Sequence, residues 1–185
     1  TIRVELRQRR ENGAEYVLLT PGNYGSDFIR DSIGIDPGTA VLTSNFIGDA
    51  LDSCISFGFR GVLLVGHIGK LVKLGAGIMN THSAQADGRM DVLVTCGVLA
   101  GAENAVLKNI PECATVDAAL DILKNHGYME KTLHILADRA EYYLNAKVKN
   151  AVNIGAVMFS DKHGITVRTS RADELIGIIS EEYNG

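Results

Sequence analysis

Short apolar runs, each followed by a polar or glycine-rich loop, recur in the first third of the chain. Tyr16–Leu19, Ala40–Thr43 and Gly61–Val65 are such runs, and their length predicts buried strands. After the second run, apolar residues continue at helical spacing and stop at Gly58, which predicts a helix that Ser44 or Asn45 caps. Three strand–loop–helix units in succession predict a parallel sheet in which the three strands are neighbours.

The rest of the chain is predicted to be mainly helical. The predicted helices are Met90–Ala102, a helix capped by Thr115, Tyr128–Asn145 and Arg171–Ile179, and the predicted late strands are Val152–Phe159 and Ile165–Val167. Met90–Ala102 is apolar on most sides, so it is expected to be largely buried. The segment Thr1–Arg10 is ambiguous, because its apolar positions fit either a strand or one face of a helix.

Composition places the chain among soluble α/β proteins. It has 185 residues, of which 46% are hydrophobic and 20 are glycine, so it can bury a sizeable core. We expect a single three-layer α/β domain over residues 1–185, with a mainly parallel sheet and helices on both faces. The formal net charge of −4 argues against a general nucleic-acid binder, and no apolar stretch reaches membrane-spanning length.

The cysteines predict no disulfide framework. Cys54, Cys96 and Cys113 are far apart and odd in number, and none belongs to a CxxC pair. Reduced thiols in a cytoplasmic protein are the simplest interpretation. Because Cys54 and Cys96 fall on apolar helix faces, we do not expect either of them to be a nucleophile.

Polar loops follow all three early strands. They span Pro21–Gly25, Ser44–Asn45 and Gly66–Lys70. Ligands of open α/β sheets bind outside the carboxyl ends of the strands, where these loops would converge. The sequence therefore predicts a ligand site at this edge of the sheet.

A basic segment follows the third strand. On a helix starting near His67, the residues His67, Lys70 and Lys73 would spread over about 120° of one side and point towards the strand-end edge. Four further polar residues follow closely: Thr81, His82, Asp87 and Arg89. This concentration predicts an anion-binding site, and the alternative is an ordinary solvated face.

Known nucleotide and metal motifs do not fit this segment. Gly69-Lys70 lacks the earlier glycine of a phosphate-binding loop, and Leu71 stands where serine or threonine would bind magnesium. Gly75 and Gly77 match the first two glycines of a dinucleotide fingerprint, but Asn80 stands where the third glycine is required. His67, His82 and Asp87 show no metal-ligand spacing, so no metal site is predicted.

Three stretches of the chain together resemble the CbiD family, the cobalt-precorrin-5B C1-methyltransferases of anaerobic cobalamin biosynthesis. They are PGNYG after the first strand, SNFIGDAL at the start of a helix, and GHIGKLVKLGAGIMNTHSAQADGR. The last of these is the most specific. Family members also have an N-terminal region that this sequence does not show, so the chain resembles the C-terminal domain of a longer protein.

The resemblance implies a cofactor, a substrate and residues for each. The methyl donor would be S-adenosylmethionine, held by Gly22, Asn23, Gly25, Ser44, Asn45 and Asp49. Its carboxylate would bind backbone amides of the Gly22–Gly25 turn or of the helix start at Asn45–Phe46, and its ribose would bind the side chain of Asn23, Asn45 or Asp49. The substrate would be a tetrapyrrole with carboxylate side chains, held by Lys70, Lys73, Thr81, Asp87 and Arg89. His67, or else His82, would remove a proton from the macrocycle.

Two other functional classes stay open on the sequence. One is a non-catalytic module that binds a corrinoid or a nucleotide, and the other is an unrelated nucleotide-dependent enzyme. Because the N-terminal region is missing, we expect the chain to fold alone but not to turn over substrate without that region. An oligomer is compatible with the sequence.

Overall fold

The computed structural model describes residues 1–22 and 26–184, and five strands in these ranges form one sheet in the order β2-β1-β3-β4-β5. The strands are β1 (Tyr16–Thr20), β2 (Val41–Leu42), β3 (Gly61–His67), β4 (Asn153–Ser160) and β5 (Gly164–Arg168). The α-helices are α1 (Ile2–Glu11), α2 (Ser26–Phe28), α3 (Ile47–Ser56), α4 (Ile68–Leu71), α5 (Arg89–Leu99), α6 (Asn104–Leu107), α7 (Val116–Asn125), α8 (Met129–Val148) and α9 (Ala172–Asn184). Ile29–Ile33 is π-helical, and Pro37–Thr39 and Val72–Ala76 are 3₁₀-helical.

The sheet is parallel except at one edge. β1 pairs in parallel with β2 and with β3, and β3 pairs in parallel with β4 along its whole length, from Gly61 opposite Asn153 to His67 opposite Phe159. β5 is antiparallel to β4. The prediction that the three early apolar runs are parallel neighbours is confirmed.

Helices cover both faces of the sheet. Successive strand side chains point to opposite faces. Val17 and Val62 belong to the core that includes residues of α3, α5, α7 and α8, whereas Leu18 and Leu63 belong to the core that includes Ile29 and residues of α9. Each face therefore has its own apolar core. The predicted three-layer α/β architecture is confirmed.

Several local predictions are resolved or corrected. The ambiguous first segment is a helix, α1. The predicted cap of α3 is wrong, because α3 begins at Ile47 with Phe46 as its N-cap, while Ser44 occupies the left-handed region at φ 52°. Thr115 caps α7 as predicted, with its hydroxyl accepting from the Ala118 amide at 3.1 Å. α5 is less buried than predicted, because Val98 and Leu99 are more than half exposed.

After β1 the chain passes over one face of the sheet, and after β3 it passes over the other. The connection after β1 includes Ile29 in the core below one face, whereas α4 after β3 belongs to the core on the other face. Such a change of direction opens a crevice at the carboxyl ends of the two strands, and ligands of α/β folds bind there. The two ends touch at Gly66, which packs against Pro21.

Substituting Gly66 with alanine is expected to destabilise the fold by about 1–3 kcal/mol, because the site is already filled. A Cβ atom at Gly66 would lie 2.8 Å from Pro21 Cγ and Cδ and 3.0 Å from Leu71 Cδ1. The matched control is Gly177→Ala within α9, where a Cβ atom meets nothing within 4 Å. This control is expected to stabilise by about 0.5–1 kcal/mol.

Urea unfolding of both variants measures the two free energies. Equal changes in stability, or a stabilised Gly66→Ala variant, would contradict the close approach of the β1 and β3 ends.

Candidate functional site: a basic cavity at the strand-end edge

A cavity of about 380 Å³ lies at the carboxyl-end edge of the sheet, between the loops that follow β2 and β3. We call it the basic cavity, and its lining residues are Asn45, Gly69, Lys70, Lys73, Thr81, His82, Ser83 and Arg89. Six of these were predicted from the sequence as site residues. The structure therefore brings the basic segment and the β2–α3 loop together, as the convergence of loops predicted.

Lys73 does not point its ammonium group at the solvent-facing edge, so this part of the sequence prediction is wrong. The residue is only 3% exposed, and its Nζ donates to the carbonyl oxygens of Thr81 at 3.0 Å and Ala86 at 2.8 Å. Burial lowers the pKa of Lys73. The helix also tightens into a 3₁₀ turn at Val72, which breaks the α-helical spacing assumed from the sequence. Lys73 therefore fixes the backbone between Thr81 and Ala86, which forms one wall of the cavity.

Contacts between Thr81 and Asn45 connect this wall to the loop that follows β2. The Thr81 amide donates to the Asn45 carbonyl at 3.0 Å, and the Thr81 hydroxyl is 3.1 Å from Asn45 Oδ1. Thr81 is also almost completely buried. Both residues were expected to contact ligands, but in this structure their polar groups bind each other.

Lys70 and Arg89 are the partly exposed cations of the basic cavity. Arg89 is paired with Asp87: its Nε donates to Asp87 Oδ1 at 2.6 Å and its Nη2 to Oδ2 at 3.3 Å. The Arg89 guanidinium lowers the pKa of the Asp87 carboxyl, and Asp87 in turn raises the pKa of Arg89. The positive lining suits an anion, and carboxylates are the partners that a guanidinium fork binds best.

His67 ends β3 and caps α4. Its Nδ1 accepts from the Gly69 amide at 2.9 Å, so in the neutral ring the proton lies on Nε2. Nε2 is 3.8 Å from Asp161 Oδ2, and the ring edge packs on Phe159, with the ring centroids 5.6 Å apart. His67 therefore presents an N–H donor and not a free lone pair.

His82 repeats this arrangement on the exposed side of the basic cavity. Its Nδ1 accepts from the Ala84 amide at 3.1 Å, which again leaves the proton on Nε2. One of the two histidines, His67 or else His82, was expected from the sequence to take up a proton. Their hydrogen bonds fit donation to an anion better than proton removal.

Asp161 and Ser83 were not predicted from the sequence as site residues. Asp161 lies in the turn after β4, and a turn that follows a strand parallel to β3 reaches the same edge as His67. This parallel pairing was the signal that could have pointed to Asp161. Ser83 lies inside the basic segment itself and lines the cavity.

The residues expected to hold a methyl donor are more scattered. Gly22 lies at the end of β1, and its carbonyl accepts from the Thr20 hydroxyl at 3.2 Å. Asn23 and Gly25 lie outside the described residues. Ser44 is exposed, and so is Asp49, which lines two other cavities beside Phe46, of about 210 and 540 Å³.

The start of α3 offers fewer amides to an anion than expected. The Phe46 amide donates to the Thr43 carbonyl and the Gly48 amide to the Met79 carbonyl, each at 3.0 Å. The Phe46 amide is therefore already bonded within the chain. Ser44 has a left-handed backbone conformation and α3 begins only at Ile47, so the amides of Ser44 and Asn45 do not belong to the first turn of the helix.

Other chemistries find little support in residues 1–22 and 26–184. These ranges contain no group of three or more histidine, cysteine or acidic residues placed to hold a metal ion, and no helix in them could cross a membrane. Burial raises the pKa of Cys54 to about 12 and that of Cys96 to about 11, so both thiols stay protonated at neutral pH. Both cysteines pack in the core.

Curated relatives of the chain share one name. A protein of Photorhabdus laumondii subsp. laumondii is 40% identical over 163 residues, covering 86% of this chain and 43% of the relative. One of Clostridioides difficile is 33% identical over 182 residues, covering 96% and 44%, and one of Listeria welshimeri is 36% identical over 178 residues, covering 95% and 48%. Each is named cobalt-precorrin-5B C(1)-methyltransferase.

The chain spans less than half the length of these relatives. No solved structure matches it. The family described as CbiD, C-terminal domain, matches residues 80–170, a range that includes the part of the basic cavity from Thr81 to Arg89. On these similarities the chain belongs to the CbiD family, and residues 80–170 carry that family's C-terminal domain.

Proposed function

We propose that this chain contributes to the transfer of a methyl group from S-adenosylmethionine to ring carbon C1 of cobalt-precorrin-5B, in cobalamin biosynthesis in the cytoplasm. The relatives' shared name supports the reaction. The structural observation that supports it most is the basic cavity, at the edge of the sheet where α/β folds bind ligands. Residues 1–185 would act as one domain together with an N-terminal region.

The basic cavity accounts for how an acidic chain holds a polyanionic substrate. The chain carries a net charge of −4, so a tetrapyrrole with carboxylate side chains needs a local positive surface. Lys70 and Arg89 supply charge, and the Nε2–H group of His82 supplies a further donor. Lys73 adds its charge from within the wall.

The volume of the cavity limits what enters it. About 380 Å³ lies near the lower end of the about 300–1,000 Å³ that ligand sites occupy, so the cavity suits a carboxylate side chain or a small ligand. A whole corrinoid is larger than this, so its ring would lie outside the cavity. The cavity would then orient the macrocycle by one of its arms.

The methyl donor would lie near the crevice between the ends of β1 and β3, next to the basic cavity. Gly22, Asn23 and Gly25 remain the proposed contacts for its amino-acid tail, with Ser44 at the neighbouring loop. Asp49 has an exposed carboxylate that suits a ribose diol, whereas the side-chain oxygen of Asn45 already accepts from the Thr81 hydroxyl. Methyl transfer is an in-line displacement, so the chain would contribute by aligning the two reactants and excluding water.

The structure favours a binding role for the histidines. With Nδ1 occupied and Nε2 protonated, His67 and His82 would donate to carboxylates of the substrate. A proton leaving the macrocycle would then need another acceptor. This observation also supports the second candidate function, a corrinoid-binding module without chemistry of its own.

Methyl transfer is expected only when the rest of a CbiD protein is present. The assay uses cobalt-precorrin-5B and labelled S-adenosylmethionine under anaerobic conditions. It compares the chain alone with the chain joined to, or mixed with, the remaining region of the Clostridioides difficile relative. The single sheet edge cannot enclose a macrocycle, so the chain alone is expected to show no turnover.

The outcomes of this assay separate the two candidate functions. Binding of the corrinoid without methyl transfer in either preparation would favour the binding module. Full turnover by the chain alone would contradict the proposed need for a further region.

Lys70→Ala and Arg89→Ala are expected to weaken binding of cobyrinic acid, a corrin with free carboxylate side chains, while the melting temperature stays unchanged. Each lost charge-assisted hydrogen bond is expected to cost about 1.5–3 kcal/mol of binding free energy. Calorimetry measures the affinity. The control is Lys124→Ala, which removes the same charge from an exposed position in the last turn of α7. An equal loss of affinity in the control would show a general charge effect, which would contradict the assignment.

A further inference from the structure

One edge of the Arg89 guanidinium, formed by Nε and Nη2, is already occupied by a carboxylate of the chain itself. Nε and Nη2 of Arg89 contact the two oxygens of Asp87 at 2.6 and 3.3 Å. This two-point geometry is the one that arginine forms with a carboxylate ligand. Asp87 was expected from the sequence to contact substrate, yet it sits where a carboxylate of the substrate would bind Arg89.

The charges around this pair favour an anion there. The lining of the basic cavity contains Lys70, Lys73 and Arg89, and both Lys73 and Arg89 lower the pKa of Asp87. Asp87 neutralises one of these three positive charges. A ligand carboxylate that replaced it would meet the same cations, with Lys70 within the same cavity.

Besides its pair with the Arg89 side chain, the Asp87 carboxylate accepts from the Arg89 backbone amide, and the neighbouring backbone is held by further contacts. The Ala86 carbonyl, directly before Asp87, is fixed by Lys73, and α5 begins at Arg89, directly after Gly88. The Asp87 side chain is 57% exposed, whereas that of Arg89 is 30% exposed. Rotation of the Asp87 side chain into solvent would therefore free Arg89 while the chain on both sides stays in place.

We propose that Asp87 is an internal competitor for Arg89, which a carboxylate side chain of the ligand displaces. It sets specificity, because a neutral ester or amide gains too little from Arg89 to replace an ionised carboxylate, whereas a carboxylate that also reaches Lys70 gains more. The identity of the ligand as a tetrapyrrole rests on the proposed function. The competition itself concerns only a carboxylate and Arg89.

The test compares Asp87→Asn with Asp91→Asn by calorimetry with cobyrinic acid and with its methyl ester. Asp91 is exposed in the first turn of α5, so its substitution changes the net charge by the same amount without touching Arg89. Asp87→Asn is expected to bind cobyrinic acid about 3- to 10-fold more tightly than Asp91→Asn does, because no bound carboxylate has to be displaced. The gain should vanish in an Arg89→Ala background and should be absent for the ester.

Three results would overturn the proposal: weaker binding by Asp87→Asn, equal affinities of the two variants, or a gain that persists without Arg89. Weaker binding would show that Asp87 contacts the ligand directly. Circular dichroism melting of each variant identifies any loss of folding, in which case Asp87→Ser replaces Asp87→Asn.

A second measurement separates this proposal from the proposed function. The NMR signal of the Arg89 Nε–H group reports its acceptor, and sodium acetate serves as a carboxylate without a macrocycle. Acetate is expected to shift this signal in Asp87→Asn at concentrations that leave the unsubstituted chain unchanged. If cobyrinic acid bound to no form of the chain but acetate behaved in this way, the tetrapyrrole assignment would fail and the competition would stand. Equal acetate responses would overturn the competition.

Discussion

The buried ammonium group of Lys73 holds together the part of the structure on which the candidate site depends. The stretch between Gly77 and Gly88 has little helix or strand of its own, so its backbone carbonyls need partners from elsewhere. Lys73 supplies two of them by donating to Thr81 and Ala86. A buried charge is stable only when it is hydrogen-bonded in this way.

Other contacts extend this anchorage to the sheet. Thr81 binds Asn45 through both its amide and its hydroxyl, and Phe46 forms a single antiparallel bridge with Asn80. The stretch is thereby tied to the loop after β2 on one side and to the 3₁₀ turn after β3 on the other. The basic cavity is the space left between these attachments, so its shape follows from contacts that never meet a ligand.

Much of the fold could be predicted from the sequence because burial imposes a recognisable pattern of apolar residues on each strand and helix. The runs Tyr16–Leu19 and Gly61–Val65 are apolar throughout, as strands covered on both faces must be, and they pair in parallel. The stripe on α8 predicted the longest helix for the same reason. The edge that carries the site followed from the parallel pairing alone.

The details of the site could not be predicted in the same way. Spacing cannot show which of Lys70 and Lys73 is buried, because that depends on the carbonyl groups of a stretch more than seven residues away. The spacing of residues also cannot show that the Asp87 carboxylate accepts from Arg89. Nor can it show that Nδ1 of each histidine accepts from the backbone amide two residues later. These contacts are set by side-chain rotation within irregular backbone, which leaves no period in the sequence.

The role of Lys73 in building the wall of the basic cavity is tested most directly by comparing Lys73→Met with Lys70→Met. Lys73→Met is expected to lose about 2–4 kcal/mol of unfolding free energy, because it removes the donor for the Thr81 and Ala86 carbonyls, and Lys70→Met less than about 1 kcal/mol. Amide hydrogen exchange at Thr81 should become much faster only in Lys73→Met. Unchanged stability and exchange in Lys73→Met, with weakened corrinoid binding, would contradict the account and show that Lys73 is a ligand contact.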